Sequence, residues 1–153
     1  MASPLTLLMP LKEGISLTEA IGLLQSHNEG IDKALESIGT VHFARFVLLD
    51  RSSPTLQPSA TGTGPYVLGV ITEFDGDFEI YVQDFVDQIG DIFDALLSHT
   101  SDGAHLVPVS KNVAAFNAYV ASHDLAQMPN APGLFSAYDL SVNTIIANSK
   151  SKR

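Results

Sequence analysis

The chain has 153 residues and a mass of 16.3 kDa, which suits one domain with a substantial core. Its 17 acidic and 8 basic side chains give a formal net charge of −9, and such a surface repels the phosphate backbone of nucleic acids. The absence of cysteine excludes disulfides, thiolate catalysis and cysteine-ligated metals. The first residues lack a signal-peptide pattern, and no stretch reaches the roughly 20 apolar residues of a membrane span. We therefore expect a cytoplasmic protein.

The first predicted elements are a strand and a helical segment. The apolar run 5–11 predicts the strand, and apolar residues at helical spacing predict helix over 18–38. Ser16 or Thr18 is suited to cap its start, and Gly39 to end it. The sequence His-Asn-Glu-Gly at 27–30 is expected to divide this segment into two short helices.

Two central strands carry apolar residues on both parities. They are the segments 41–49, VHFARFVLL, and 66–74, YVLGVITEF, and we expect them to pair antiparallel. A half-buried strand alternates apolar and polar residues, so these strands predict a sheet that is covered on both faces. Helices of the same chain are expected to cover one face, and a second copy the other. The sequence thus predicts a homodimer.

The segment 50–65 between these strands is rich in proline, glycine and hydroxyl side chains. This composition predicts a loop that is longer than most connections in a compact domain. Two interpretations stay open at this point: a disordered hairpin tip, or a lid that closes over a ligand.

The second half of the chain is predicted to be mainly helical. Asp77 is a suitable N-cap for a helix to about residue 97, whose apolar stripe leaves Asp84, Asp87, Asp91 and Asp94 on a solvated face. A further helix is predicted at 110–122, a loop at 128–133, a fourth strand at 134–140 and a helical turn at 141–147. We interpret 1–148 as a single domain and 149–153 as a disordered basic tail.

The predicted order β-α-β-β-α-(α)-β indicates an α+β fold of ferredoxin-like plan, with a four-stranded antiparallel sheet, helices on one face and extra helices. Several segments carry a resemblance to one poorly characterised set of such domains: PLKEG at 10–14, GTVHFARFVLLD at 39–50, TEFDGDF at 72–78 and LFSAY at 134–138. The chain resembles the dimeric α/β-barrel superfamily, which includes small monooxygenases, haem-degrading enzymes and peroxidase-like proteins. The resemblance implies a fold and a homodimer. It implies no activity, because none of the superfamily's catalytic motifs is matched residue by residue.

Three residues of the central strands are the candidate ligand-binding residues: His42, Arg45 and Glu73. Arg45 and Glu73 are lone charges in apolar strands, and symmetric pairing puts them on one face about one diagonal step apart. They form a structural ion pair, or Arg45 lies at the sheet edge and reaches water, or the guanidinium orients an anionic or carbonyl-bearing ligand. His42 lies on the opposite parity, so it and Arg45 do not readily face the same cavity; it is either a hydrogen-bonded structural residue or a base.

The remaining histidines give weaker signals. His99 is the candidate haem ligand, and His105 with Asp102 could contribute to a metal site, although the spacing matches no firm motif. His27 and His123 end helices, where the helix dipole favours histidine. We predict no metal and no cofactor, with haem as the alternative.

Two hypotheses about function follow. The first is a homodimeric module of uncharacterised function that binds a small apolar or anionic ligand in a cavity lined by the sheets. The alternative is a small oxygenase, an isomerase or a haem-dependent peroxidase-like enzyme that uses this cavity. The sequence leaves open whether the protein is an enzyme.

Overall fold

The computed structural model describes residues 2–127 and 137–150, which form an α+β fold. Short 3-10 turns occur at Ala104–Leu106, Val109–Lys111 and Leu125–Gln127. The strands and helices, in chain order, are β1 (Ala2–Pro10), α1 (Leu17–Ile38), β2 (Val41–Asp50), β3 (Tyr66–Asp75), α2 (Phe78–Ser98), α3 (Val113–His123) and α4 (Val142–Lys150).

The sheet of the described residues has three antiparallel strands in the order β1-β3-β2. The predicted four-stranded ferredoxin-like sheet is therefore not observed. Residues 137–140 of the predicted fourth strand are not extended in a sheet, while 134–136 and the predicted loop 128–133 lie outside the described residues. The free edge of β1 is instead contacted by Asp124, which bridges to Leu7 and accepts a hydrogen bond from the Thr6 N–H at 2.8 Å.

The helix ends confirm the predicted caps. Ser16 Oγ accepts a hydrogen bond from the Glu19 N–H, and Gly39 ends α1 in the left-handed region at φ 69°. Asp77 caps α2 through the N–H groups of Glu79 and Ile80. The predicted break at 27–30 is wrong, because α1 is continuous across it.

The reason lies in how α1 packs on α2. A side chain at Gly30 would bring its Cβ within 2.9 Å of Ile92 Cδ1, so glycine allows the two helices to approach closely. Glu29 also forms an ion pair with Lys33 one turn later on the same face of α1. Tertiary packing thus overrides the weak helix propensity of this segment.

The core lies between one face of the sheet and the helices α1, α2 and α3. Leu5, Leu7 and Met9 of β1 and Leu68 and Val70 of β3 point into it and are almost fully buried. The apolar stripe predicted for α2 packs there as well. The ring of Tyr81 on α2 contacts both Phe74 of β3 and Phe85 of α2. This side of the sheet leaves a gap of about 30 Å³ that is lined almost wholly by apolar side chains and is too small for a ligand.

The loop 51–65 folds back on Asp50 and does not form a disordered tip. Asp50 is fully buried, and its Oδ1 accepts hydrogen bonds from the Ser52 N–H at 2.9 Å and the Ser52 hydroxyl at 2.7 Å. The Tyr66 hydroxyl donates to the Gly62 carbonyl, and Gly62 lies directly against Asp50 Oδ2. An Asx-type turn at the end of β2 therefore anchors the loop.

The end of the described chain also differs from the prediction. The expected helical turn at 141–147 is the longer helix α4, which includes residues 149 and 150 of the predicted tail. Residues 151–153 of that tail lie outside the described residues. Among the helices of residues 2–127 and 137–150, none is both long enough and apolar enough to cross a membrane.

Candidate functional site

The face of the sheet that points away from the helices is mainly apolar, and we call it the open face. The register places a residue of β1, one of β3 and one of β2 side by side across it, as in the row Leu8, Gly69 and Val47. Its larger apolar side chains are half-buried, and none belongs to the core cluster of the described residues. The open face consists of Pro4, Thr6, Leu8, Pro10, Phe43, Arg45, Val47, Leu49, Val67, Gly69, Ile71 and Glu73.

Gly69 closes the middle of the open face. A Cβ at this position would lie 2.5 Å from Val47 Cγ2 and 3.1 Å from Leu8 Cδ2. The side chains of Val47 and Leu8 on the two neighbouring strands therefore occupy the space above the glycine. This arrangement gives the open face a continuous apolar centre.

Arg45 and Glu73 lie on this open face, as the sequence indicates. Arg45 is opposite Ile71 and Glu73 is opposite Phe43, which puts the two charges one diagonal step apart. The ion pair that was one interpretation of these charges is not formed within 4.0 Å, and Arg45 instead reaches water from the edge strand β2. Arg45 is exposed, whereas Glu73 Oε2 is buried and has no hydrogen-bond partner among the described residues.

Burial raises the pKa of Glu73 above its usual range, because a desolvated carboxylate is unfavourable, and the nearby His42 opposes this shift only in part. An unpaired carboxylate in this position is costly for one copy of the chain.

His42 is placed by a β-bulge that the sequence analysis did not identify. Val41 pairs with Phe74 and Phe43 with Glu73, so His42 is the extra residue of β2. The bulge turns its ring to the end of β3, where Nε2 lies 3.0 Å from Asp75 Oδ1. His42 and Arg45 therefore do not meet at one site.

Asp75 joins this histidine to α4. Its Oδ2 accepts a hydrogen bond from the Val142 N–H at 2.8 Å, at the start of the helix. Burial alone would raise the pKa of Asp75, but the hydrogen bonds from Val142 and His42 outweigh it and hold the pKa below its usual range. Asp75 is thus an ionised group that fixes both the His42 ring and the position of α4. The sequence analysis assigned it only to a turn.

A groove of about 390 Å³ lies between α4, the end of α1 and the start of β2, and we call it the α4 groove. His42 lines it, and Phe43 connects it with the open face. Its other lining residues are Leu35, Glu36, Gly39, Val41, Val142, Ile145 and Ile146.

His99, the candidate haem ligand, lies far from these residues. Its Nδ1 is 2.8 Å from the Ala95 carbonyl, and its own carbonyl accepts a hydrogen bond from Lys12. Lys12 follows the Pro10 end of β1, whereas Glu73 lies opposite Pro4 near the other end of that strand. The structure therefore does not bring His99 together with His42, Arg45 and Glu73.

Asp102 contacts Tyr119 and His123, in place of the predicted pairing with His105. The Tyr119 hydroxyl donates to Asp102 Oδ1 at 2.9 Å, and His123 Nε2 lies 2.8 Å from Oδ2. The other His123 ring nitrogen lies 2.9 Å from the Tyr119 carbonyl, so neither nitrogen is left for a substrate. This cluster fixes the loop after α2 against α3. In the described part of the chain, no group of three histidine, aspartate or glutamate side chains is arranged to hold a metal ion.

Comparisons with protein-family models, with curated proteins and with solved structures each find no match. The function is therefore argued from the open face and the α4 groove alone.

Proposed function

We propose that the protein is a homodimeric α+β module in which two copies meet through their open faces. The observation that carries this proposal is the apolar open face itself, which lies outside the core cluster of the described residues. Burial of such a face against a second copy removes apolar area from water at about 25 cal/mol per Å². The proposal needs only the three described strands and does not depend on a fourth.

The charges of the open face favour a copy of the same chain as the partner. A two-fold interface is self-complementary: if one residue contacts a different residue of the partner subunit, the symmetry repeats the same contact with the two subunits exchanged. Arg45 of one protomer is then able to pair with Glu73 of the partner subunit, and the partner's Arg45 pairs with Glu73. Both charges, which are unpaired with each other in one chain, gain an opposite charge in this arrangement.

Two sheets that pack in this way lie about 10 Å apart and enclose an apolar layer. A small apolar ligand suits that layer. An anionic ligand has to displace Glu73 from Arg45 and is therefore disfavoured relative to an apolar one.

The test is the solution mass of a variant that carries a charge at the centre of the open face. Val47→Asp places a carboxylate beside Gly69 and is expected to convert the dimer to a monomer by light scattering. Ile80→Asp is the matched control, because Ile80 is 64% exposed on α2, outside the open face, and this variant is expected to stay dimeric. If Val47→Asp keeps the wild-type dimer mass, the dimer does not use the open face, and the proposal is wrong.

A further inference from the structure

We propose that the α4 groove binds a small, uncharged apolar molecule that donates a hydrogen bond to His42. This site lies at the end of the sheet. It shares Phe43 with the open face, and the other eight described residues that line it lie outside that face. A phenol-like compound, with an aromatic body and one hydroxyl donor, represents the ligand class.

The shape and lining of the groove support an apolar ligand. Its volume of about 390 Å³ lies within the range of small-molecule sites, which are usually apolar with a few polar groups. Three of its apolar side chains remain about half exposed to water: Phe43 is 50% exposed, Ile145 43% and Ile146 41%. A ligand that covers them removes apolar area from water.

One polar side chain of this lining, His42, has a ring nitrogen that is not used within the chain. The Asp75 carboxylate is ionised at neutral pH and only accepts hydrogen bonds, so the Nε2 of His42 carries the proton that faces it. Nδ1, the second ring nitrogen, has no hydrogen-bond partner among the described residues and is the atom left to bond a ligand hydroxyl. Because the Val142 N–H also holds Asp75, the orientation of the imidazole is fixed before a ligand arrives.

The charges around His42 select against acids. Asp75 and Glu73 of β3 lie beside the ring, and Glu36 of α1 lines the groove. The described lining includes no lysine or arginine, and Arg45 lies on the open face. Within one copy of the chain, a carboxylate ligand would therefore meet acidic groups that no lysine or arginine of the described lining balances. The α4 groove therefore disfavours an anionic ligand such as the one that the sequence left open.

The experiment uses 2-naphthol as the probe and 2-naphthoate as its acidic counterpart, with binding followed by probe fluorescence at pH 7.5. We expect saturable binding of 2-naphthol and binding of 2-naphthoate that is at least about tenfold weaker. His42→Phe keeps an aromatic ring but removes the acceptor, and it is expected to weaken 2-naphthol binding about tenfold. Equal binding of the two probes, or unchanged binding by His42→Phe, would overturn the proposal.

A second variant tests the groove without changing His42. Ile145→Asp adds a charge to the exposed wall of α4 and is expected to weaken 2-naphthol binding, while Ile80→Asp leaves it unchanged. Val47→Asp, which targets the dimer, is expected to bind 2-naphthol like the wild type. A failed dimer test with normal probe binding therefore rejects only the proposed function. If Ile80→Asp loses 2-naphthol binding, or if Ile145→Asp binds 2-naphthol like the wild type, the α4 groove is not the binding site and the proposal is wrong.

Discussion

Arg45 and Glu73 lie one diagonal step apart on the open face, yet no ion pair joins them within the chain. The guanidinium is exposed to water, whereas one oxygen of the carboxylate is buried without a partner, so these complementary groups stay unpaired in one copy. Our account of the protein assigns their partners to a second copy.

Charge reversal at these two positions tests that assignment. Arg45→Glu or Glu73→Lys alone places like charges opposite each other in the dimer, and each is expected to raise the dimer dissociation constant about thirtyfold or more. The double variant restores opposite charges across the two-fold axis and is expected to recover most of the affinity. Sedimentation equilibrium measures all three constants. Independent, additive effects of the two substitutions would show that the residues do not pair.

Asp75 predicts a pH-dependent contribution to stability. Its pKa is lower in the folded chain than the value of about 3.9 in an unfolded chain. Between these two pKa values the folded state therefore binds fewer protons than the unfolded state. The stabilisation is present above pH 4 and is lost as the pH falls through the folded pKa. Asp75→Asn is expected to lower the free energy of unfolding by about 1–3 kcal/mol at pH 7, and by much less near pH 2.

Urea denaturation at both pH values measures this difference for Asp75→Asn. Asp91→Asn is the control, because Asp91 is an exposed carboxylate of α2 for which no hydrogen bond or ion pair is recorded among the described residues. It is expected to change the unfolding free energy little at either pH. A destabilisation by Asp75→Asn that is the same at both pH values would contradict the assigned role of its charge.

The close contact of Gly69 with Val47 predicts that substitutions at these two positions have coupled effects on the free energy of unfolding. Gly69→Ala forces Val47 to move, because the new methyl group would lie 2.5 Å from Val47 Cγ2, and we expect a loss of about 1–2 kcal/mol. In a Val47→Ala background the same substitution is expected to be neutral or stabilising, since glycine weakens a strand interior by about 0.5–1 kcal/mol relative to alanine. Equilibrium unfolding of the four proteins gives the coupling energy, and a value near zero would contradict the contact.

Gly62 makes a similar prediction for the loop that folds on Asp50. Gly62→Ala would place a methyl group against the buried Asp50 Oδ2 and is expected to destabilise the fold by about 2 kcal/mol or more. Gly22→Ala is the matched control, because nothing lies within 4 Å of its Cβ position in α1, and alanine is expected to stabilise the helix by about 0.5–1 kcal/mol. Thermal unfolding distinguishes the two outcomes. Equal effects would show that the loop does not pack on Asp50.

The sequence was sufficient for the elements whose signals are local. The apolar parity of β2 and β3, the capping side chains of Ser16 and Asp77, and the apolar stripe of α2 each follow from neighbouring residues. The continuity of α1 could not be predicted, because it depends on the packing of Gly30 against Ile92 on another helix.

The candidate site was predictable only in part, for the same reason. The diagonal relation of Arg45 and Glu73 follows from hairpin symmetry, but the bulge at His42 is a register shift that alternating parity does not reveal. The contact of Asp75 with Val142 joins residues 67 positions apart, which no local pattern indicates.

The most direct test of the account is the mass of the wild-type protein in solution, measured by sedimentation equilibrium from about 1 to 100 μM. Two open faces that cover each other predict a species of about twice the 16.3 kDa chain mass that dissociates only on dilution. A single species of 16.3 kDa over the whole range would contradict the account, because the open face would then be stable in water without a second copy.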